Sequence, residues 1–327
     1  MKASIYKNYG SPDVLEYCEV EAPVPKGDEL LIKVHAATVN RTDCAMLRAK
    51  PYIMRLFTGL MKPKRQILGT DFSGCIEAVG DKVTNVKAGD KIFGFNDLGV
   101  SSHAQYLTIS AHEALALIPE NTSYEKAAAS LEGVHYAYNF INKVTLKYGD
   151  TVLVNGATGA IGSALVQLLT YFGAQVIAVC DGKHAELMKT LGATKTIDFT
   201  KEVFTQTNEK YQFVFDAVGK SSFTKCKPIL AKKGIYISSE LGYRAQNIFY
   251  ALFTPIICMI PGFRSNKKVV FPIPTNRKAS VLLIKQLIEE GKFDALIDKS
   301  YSLEETSEAF RYVETGQKIG NVILKIA

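Results

Sequence analysis

Hydrophobic positions along this 327-residue chain change their period near Thr122. Before that point apolar residues come in short runs, around Ile5 and over 30–34, 74–79 and 106–109. Breakers such as 22–28 and 88–90 separate them, and runs of this kind predict strands and turns. Beyond Thr122 the pattern alternates. A helical stretch runs from Tyr124 through Ala127–Ala129 to Tyr136–Phe140. Strands then recur near Val152, Val176, Thr196, Val214, Ile235 and Val269, with helical spacing between them. That alternation predicts a doubly wound parallel sheet of the α/β class. After Pro274 come a helix over 279–290, a shorter one over 303–314 and a terminal strand over 321–326, a tail expected to return to the first domain. The expected domains are therefore 1–122 together with 274–327, and 123–273.

One stretch carries more information than the rest. Residues 151–180, TVLVNGATGAIGSALVQLLTYFGAQVIAVC, read as a buried strand, a tight turn of small residues, an amphipathic helix and a second buried strand. The turn holds Ala157, Thr158, Gly159, Ala160, Ile161 and Gly162, the dinucleotide pattern G-x-G-x-x-G with alanine first. Gly159 lets the backbone approach a pyrophosphate, and Gly162 lets the helix pack closely on the strand. The phosphates then meet unsatisfied N–H groups at the helix N-terminus.

Composition narrows the class. Hydrophobic residues make up 47% and charged residues 22%, ordinary for a globular protein. The net charge of +7 is spread over scattered lysines without a basic arm or nucleic-acid motif, so no nucleic-acid partner is expected. Cys18, Cys44, Cys75, Cys180, Cys226 and Cys258 are dispersed and form no C-x-x-C pair, as in reduced cytoplasmic proteins. The chain opens on an apparent strand rather than a signal peptide, and a cytoplasmic location is expected. No charged residue lies between Arg244 and Arg264, but Pro255 and Pro261 argue against a membrane span. The run 267–271 reads as the last strand of the parallel sheet, with an open edge; that edge and the uncharged segment before it, otherwise an exposed apolar patch, are expected to form one homodimer interface. Peripheral membrane contact of the uncharged segment is the lesser expectation.

Taken together, these segments resemble the medium-chain dehydrogenase/reductase superfamily over essentially the whole chain. The likeness rests on 22–25 with 29–34, on 68–80 (LGTDFSGCIEAVG), on 86–94 (VKAGDKIFG) and on the nucleotide unit. It is greatest to the zinc-free quinone oxidoreductase branch. The resemblance implies a GroES-like β-rich catalytic domain and a Rossmann dinucleotide-binding domain. In the zinc-dependent relatives a metal-binding cysteine stands where this chain has Asn40, and the G-H-E motif is here Gly69, Thr70 and Asp71. The segment 96–102, in place of a structural zinc lobe, has no cysteine. Zinc needs three or four converging thiolate, imidazole or carboxylate ligands, so no metal is expected. Oxidising an alcohol needs its alkoxide stabilised, usually by the metal. Without zinc the easier reaction is hydride transfer from NAD(P)H to a quinone, or to the C=C bond of an α,β-unsaturated carbonyl. A cofactor-binding regulator or scaffold with little turnover is the reading of another class.

By the resemblance, Asn40 faces the nicotinamide and donates to the developing oxyanion. The plainer reading is a loop asparagine capping backbone. Asp43 reads as a cap or structural carboxylate, and Cys44 as packing. By the resemblance, Tyr52 falls where related quinone reductases carry a pocket tyrosine. His135 is either near the cofactor or a hydrogen-bonded core histidine. After the second strand of the nucleotide unit, Asp181 favours the ribose hydroxyls of NADH, whereas Lys183 suits the 2′-phosphate of NADPH. The resemblance tips this to NADPH, with NADH as the alternative. It also places Val218, Ser238, Ser239 and Asn321 against the cofactor.

Overall fold

The computed structural model describes residues 1–238, 246–257 and 266–327, so Ser239 and the ends of the uncharged segment lie outside the described residues. The chain divides into two compact units: Met1–Glu132 with Asn276–Ala327, and Gly133–Thr275.

The first unit opens with an antiparallel pair, β1 (Lys2–Tyr6) and β2 (Leu15–Glu19). The long strand β3 (Glu29–Val39) buries Leu30, Ile32, Val34 and Ala36 alternately, which is the period-2 signal of its sequence, and is buried throughout from Ala36 on. The helix α1 (Arg41–Arg48) follows at once, then the short α2 (Arg55–Thr58). The strands β4 (Asp71–Val79), β5 (Lys91–Phe95), β6 (Tyr106–Ser110) and β7 (Leu115–Leu117) complete this part. Leu30, Ile32, Val34, Phe72, Ile76 and Ile92 pack together as its core; each such side chain contributes roughly 1.5–3 kcal/mol by burial.

The helix α3 (Tyr124–Ala129) belongs to this unit, although a boundary at 122/123 was expected. Ser123 caps it by accepting from Lys126 N (3.2 Å), and Ala127, Ala128 and Ala129 are all buried. It packs on β3 and β4, and Ser73 Oγ donates to Tyr124 O (2.6 Å). The division therefore falls at Glu132, the first residue of α4 (Glu132–Ile141).

The second unit is a six-stranded parallel sheet. Its elements are β8 (Thr151–Asn155), α5 (Ala160–Tyr171), β9 (Gln175–Cys180), α6 (Ala185–Thr190), β10 (Lys195–Asp198), β11 (Tyr211–Asp216), α7 (Phe223–Cys226), β12 (Leu230–Ser238), α8 (Gln246–Ile257) and β13 (Lys268–Val270). Strand order is β10-β9-β8-β11-β12-β13, all parallel. The order reverses between β8 and β11, where ligands of such sheets bind beyond the carboxyl ends of the strands. Asn155, Asp216 and Ser238 lie in register across that end. Among the described residues β13 is the edge strand next to β12.

The tail adds α9 (Arg277–Glu289), β14 (Ile297–Ser302), α10 (Thr306–Glu314) and β15 (Asn321–Lys325) to the first unit. There β15 pairs antiparallel with β3 and parallel with β14, in a seven-stranded sheet. No strand was expected at β14, because IDKSYS offers no apolar alternation and no residue of it is fully buried.

Candidate active site

The turn after β8 is built by glycines with different duties. Gly156, a residue ahead of the expected pattern, takes the left-handed backbone (φ +77°) that turns the chain. A Cβ there would lie 2.1 Å from Val218 Cγ1. Ala157 is buried in the turn and donates its N–H to Val179 O (3.1 Å). Gly162 allows α5 to touch the turn: a Cβ would stand 2.1 Å from Gly156 O and 2.8 Å from Ala157 Cα. Gly159 is different. It is the N-cap of α5, and a Cβ on it would meet nothing nearer than Gly156 O at 3.7 Å. No packing demand explains its missing side chain, whereas close approach of a ligand to the backbone does.

The N-terminus of α5 carries no side-chain cap and no acidic residue in its first turn. The leading N–H groups and the dipole of this 12-residue helix therefore face outward as an anion site, flanked by Thr158, Ala160 and Ile161. Across the switch point, fully buried Asp216 shapes the loop after β11. It accepts from Asn155 Nδ2 (2.9 Å), Gly219 N (3.0 Å), Ser221 N (3.0 Å) and Tyr236 Oη (2.9 Å). That loop presents Val218 against Gly156. These residues fit a dinucleotide: a tight turn, an open glycine and an uncapped helix end.

At the end of β9, Asp181 caps the short turn that follows, accepting from Lys183 N (3.2 Å). Its carboxylate also pairs with Lys183 Nζ at 3.2 Å. The Lys183 backbone and ammonium together hold the Asp181 carboxyl below its usual value. The two opposed charges thus face each other.

In the first unit Asn40 ends β3 and starts α1. Its Oδ1 accepts from Asp43 N (2.9 Å), while Asp43 Oδ2 accepts from Asn40 N (3.1 Å), a reciprocal capping box. Asn40 Nδ2 donates to Thr70 Oγ1 at 2.8 Å and reaches Thr38 Oγ1 only at 3.5 Å. Around this cap three carboxyls are buried. Asp43 accepts from Gly69 N (3.1 Å), and Asp71 from Thr38 N (2.7 Å) and Thr38 Oγ1 (2.5 Å). Glu132 accepts from Thr42 Oγ1 (2.7 Å). Burial holds Asp43 well above the usual carboxylate range, and Asp71 and Glu132 add repulsion. Burial likewise lifts Asp71 to about 6 against the Thr38 bonds. It lifts Glu132 to about 7 against the Thr42 bond, with Asp71 raising it further. Half-buried Lys318 donates to Gly320 O (2.6 Å), and burial lowers its ammonium while Glu132 opposes the change.

Asn40 and Thr70, at the two positions where zinc-dependent enzymes carry ligands, are bonded to each other, and the neighbouring carboxylates are bonded to backbone and threonines. This donor set does not fit zinc. Among the described residues no group of three or more His, Cys, Asp or Glu side chains is gathered to hold a metal ion.

The other sequence candidates sit elsewhere. Tyr52 is exposed, outside the Asn40 network, with the Arg55 guanidinium over its ring (5.5 Å). Asn321 Nδ2 donates to Leu296 O (3.0 Å), tying the start of β15 in place. His135 is buried in α4 with its ring edge-on to Tyr136. Ser238 is buried at the end of β12, and Ser239 lies outside the described residues. Sequence reasoning missed Gly156 and Glu132. The signal for Glu132 was present: it is the one charged residue in an apolar run from Ala127 to Ile141.

Known proteins extend this picture. Residues 26–120 match the alcohol dehydrogenase GroES-like domain family, and residues 191–324 the zinc-binding dehydrogenase family. The chain is 31% identical to the 2-methylene-furan-3-one reductase of Solanum lycopersicum, covering 99% of this chain and 79% of that one. It is 28% identical to the NADPH-dependent alkenal/one oxidoreductase of Arabidopsis thaliana over the same shares. The solved quinone oxidoreductase from Coxiella burnetii superposes with a TM-score of 0.84 at 24% identity, covering 100% of this chain and 99% of that one.

Proposed function

Because the chain belongs to the medium-chain dehydrogenase/reductase superfamily, we propose that it is a zinc-independent NAD(P)H-dependent reductase of quinones or similarly electron-poor acceptors. The observation that carries this reading is the Gly156–Gly162 turn, with open Gly159 leading an uncapped helix N-terminus. The nicotinamide supplies a hydride when bound. The amides of α5 bind the pyrophosphate and fix its position. Asn40, held by its cap, offers the N–H that reaches Thr38 only at 3.5 Å to an oxygen that gains charge as hydride arrives at carbon. Burial disfavours the ionised forms of Asp43 and Asp71, which lessens the negative charge that neighbourhood sets against an oxyanion.

The activities for which the tomato and Arabidopsis relatives are named favour a second reading of the same chemistry, reduction of the C=C bond of an α,β-unsaturated carbonyl. NADPH is the proposed cofactor; Lys183, now paired with Asp181, would hold its 2′-phosphate. The edge of β13, unpaired among the described residues, is proposed to pair with a second copy. A cytoplasmic location accords with the five described cysteines, none in a disulfide; no described helix is long and apolar enough to cross a membrane. The test is loss of reduced-nicotinamide absorbance with a panel of quinones and enones. Tight NADPH binding without consumption by any acceptor contradicts the reading and favours a scaffold.

A further inference from the structure

The charge of this chain is not evenly spread. Between Ala217 and Thr275 the sequence holds nine lysines and arginines and a single acid, Glu240, a net of +8 against +7 for the whole chain. The positive excess is therefore confined to the segment that also contains the uncharged α8. Clustering of one sign beside an apolar stretch is a recognition pattern rather than a general solubility device.

The helix α8 turns two unlike faces outward and inward. Asn247 and Thr254 are buried, Tyr250 and Ala251 pack on the sheet core, and Thr254 Oγ1 accepts from Val269 N (3.0 Å). The opposite face presents Phe249 (58% exposed), Leu252 (62%), Phe253 (53%) and Ile256 (59%), with Ile248 at its margin. The spacing i, i+3, i+4, i+7 puts these on one stripe, and the rings of Phe249 and Phe253 lie parallel at 6.4 Å. Exposed apolar stripes of this kind mark interaction sites. Cations stand on the elements that α8 packs against. Tyr250 packs on Phe223 of α7 (5.4 Å), which leads into Lys225 and Lys227; β13 beside α8 begins after Lys267. Lys210, Lys227, Lys232 and Lys267 line one groove of about 500 Å³. Burial and the nearby Lys210 and Lys227 charges depress the Lys267 ammonium.

We propose that α8 is a membrane-surface element: its Phe249–Ile256 stripe enters the headgroup region of an anionic bilayer while the surrounding lysines face the lipid phosphates. Interfacial helices combine an apolar face with neighbouring cations in this way, and each lysine near an anionic surface strengthens binding on the order of fivefold. A protein partner or a second copy would also cover the stripe. The segment's lack of compensating acids matches a surface of uniform negative charge.

The test floats full-length protein with vesicles of phosphatidylcholine alone and of phosphatidylcholine with about one-third phosphatidylglycerol. Expected is binding to the anionic vesicles, weak binding to the neutral ones, and release by high salt. The double variant Leu252→Ser/Phe253→Ser is expected to lose at least about tenfold in vesicle affinity. Lys227→Glu/Lys232→Glu should abolish the preference for anionic lipid. Both should keep the wild-type melting temperature, light-scattering mass and NADPH affinity. Absence of vesicle binding, equal binding to both compositions, or α8 variants that bind as wild type would overturn the proposal. So would α8 variants of smaller solution mass, which would assign the stripe to a contact between copies. Flotation needs no turnover, so its result stands apart from that of the reductase assay.

Discussion

Two helix N-termini carry the two halves of the proposed chemistry, and they are finished in opposite ways. At α1 the chain closes its own end: Asn40 and Asp43 cap each other, Thr70 takes the Asn40 amide, and Gly69 N is held by Asp43. At α5 the chain leaves the end open, with a glycine N-cap, no side-chain bond and empty space over Gly159. The difference teaches where ligand charge is meant to go. At α1 a side chain takes the Asp43 amide, whereas at α5 no side chain caps the leading amides. The α1 end instead holds a side chain rigidly and leaves it one loosely engaged N–H.

The largest expected effect breaks the open end. Gly162→Val should abolish NADPH binding and lower stability by about 1–3 kcal/mol, since its side chain would overlap Gly156 O and Ala157 Cα. Gly159→Val should keep the melting temperature within a few degrees yet weaken NADPH at least about tenfold, because a Cβ there meets no protein atom nearer than Gly156 O at 3.7 Å but would stand where the proposed pyrophosphate approaches. Equal destabilisation by the two variants, with the Gly159 variant binding normally, would remove the distinction.

The closed end is sharpened by separating cap from donor. Asn40→Ser keeps an N-cap oxygen but removes the amide, and should cost about 10²–10³ in kcat with stability little changed, as loss of one oxyanion donor does. Asn40→Ala should also lose roughly 0.5–2 kcal/mol of stability with the cap. Full-speed turnover of the serine variant would make Asn40 purely structural.

Smaller effects lie on the adenosine side. Lys183→Ala should raise KM for NADPH about tenfold, the scale of one lost charge contact to phosphate, and leave NADH nearly unchanged. Asp181→Ala should improve NADPH use by removing a carboxylate beside the phosphate. Equal loss of both cofactors in the lysine variant would contradict the phosphate role.

A further effect is a pH slope. Glu132 retains its proton in the folded state to about pH 7, above its unfolded value of 4.5. The native state therefore binds more protons than the unfolded one in that window, and this group's contribution to stability falls as pH rises through it. Glu132→Gln should remove that fall, so its stability relative to wild type should increase from about pH 5 to about pH 8 in chemical denaturation. A constant difference would show that Glu132 is ionised throughout.

Much of this was legible in sequence wherever the periodicity was long. The β8–α5–β9 unit and the order of later strands follow from apolar runs that only a buried parallel sheet accommodates. The turn was read one residue late, because Gly156 looked like the end of the strand rather than the residue that reverses it. The helix α1 was hidden because RTDCAMLR carries polar residues through its first turn, and its start depends on the Asn40–Asp43 reciprocity. The α8 stripe was visible only as an uncharged segment, since which face of it lies on β13 is a tertiary fact. The buried set of Asp43, Asp71 and Glu132 joins residues far apart in sequence, and no local pattern announces it.

The most direct test of the whole account uses chelator-treated protein, NADPH carrying deuterium at its transferable position, and an α,β-unsaturated ketone followed by mass spectrometry. Deuterium fixed on carbon of the product, at the same rate before and after chelation and with no stoichiometric zinc by elemental analysis, is the predicted result. Contradiction would come from about one zinc per chain whose removal abolishes transfer, or from NADPH that binds and is never consumed with either an enone or a quinone.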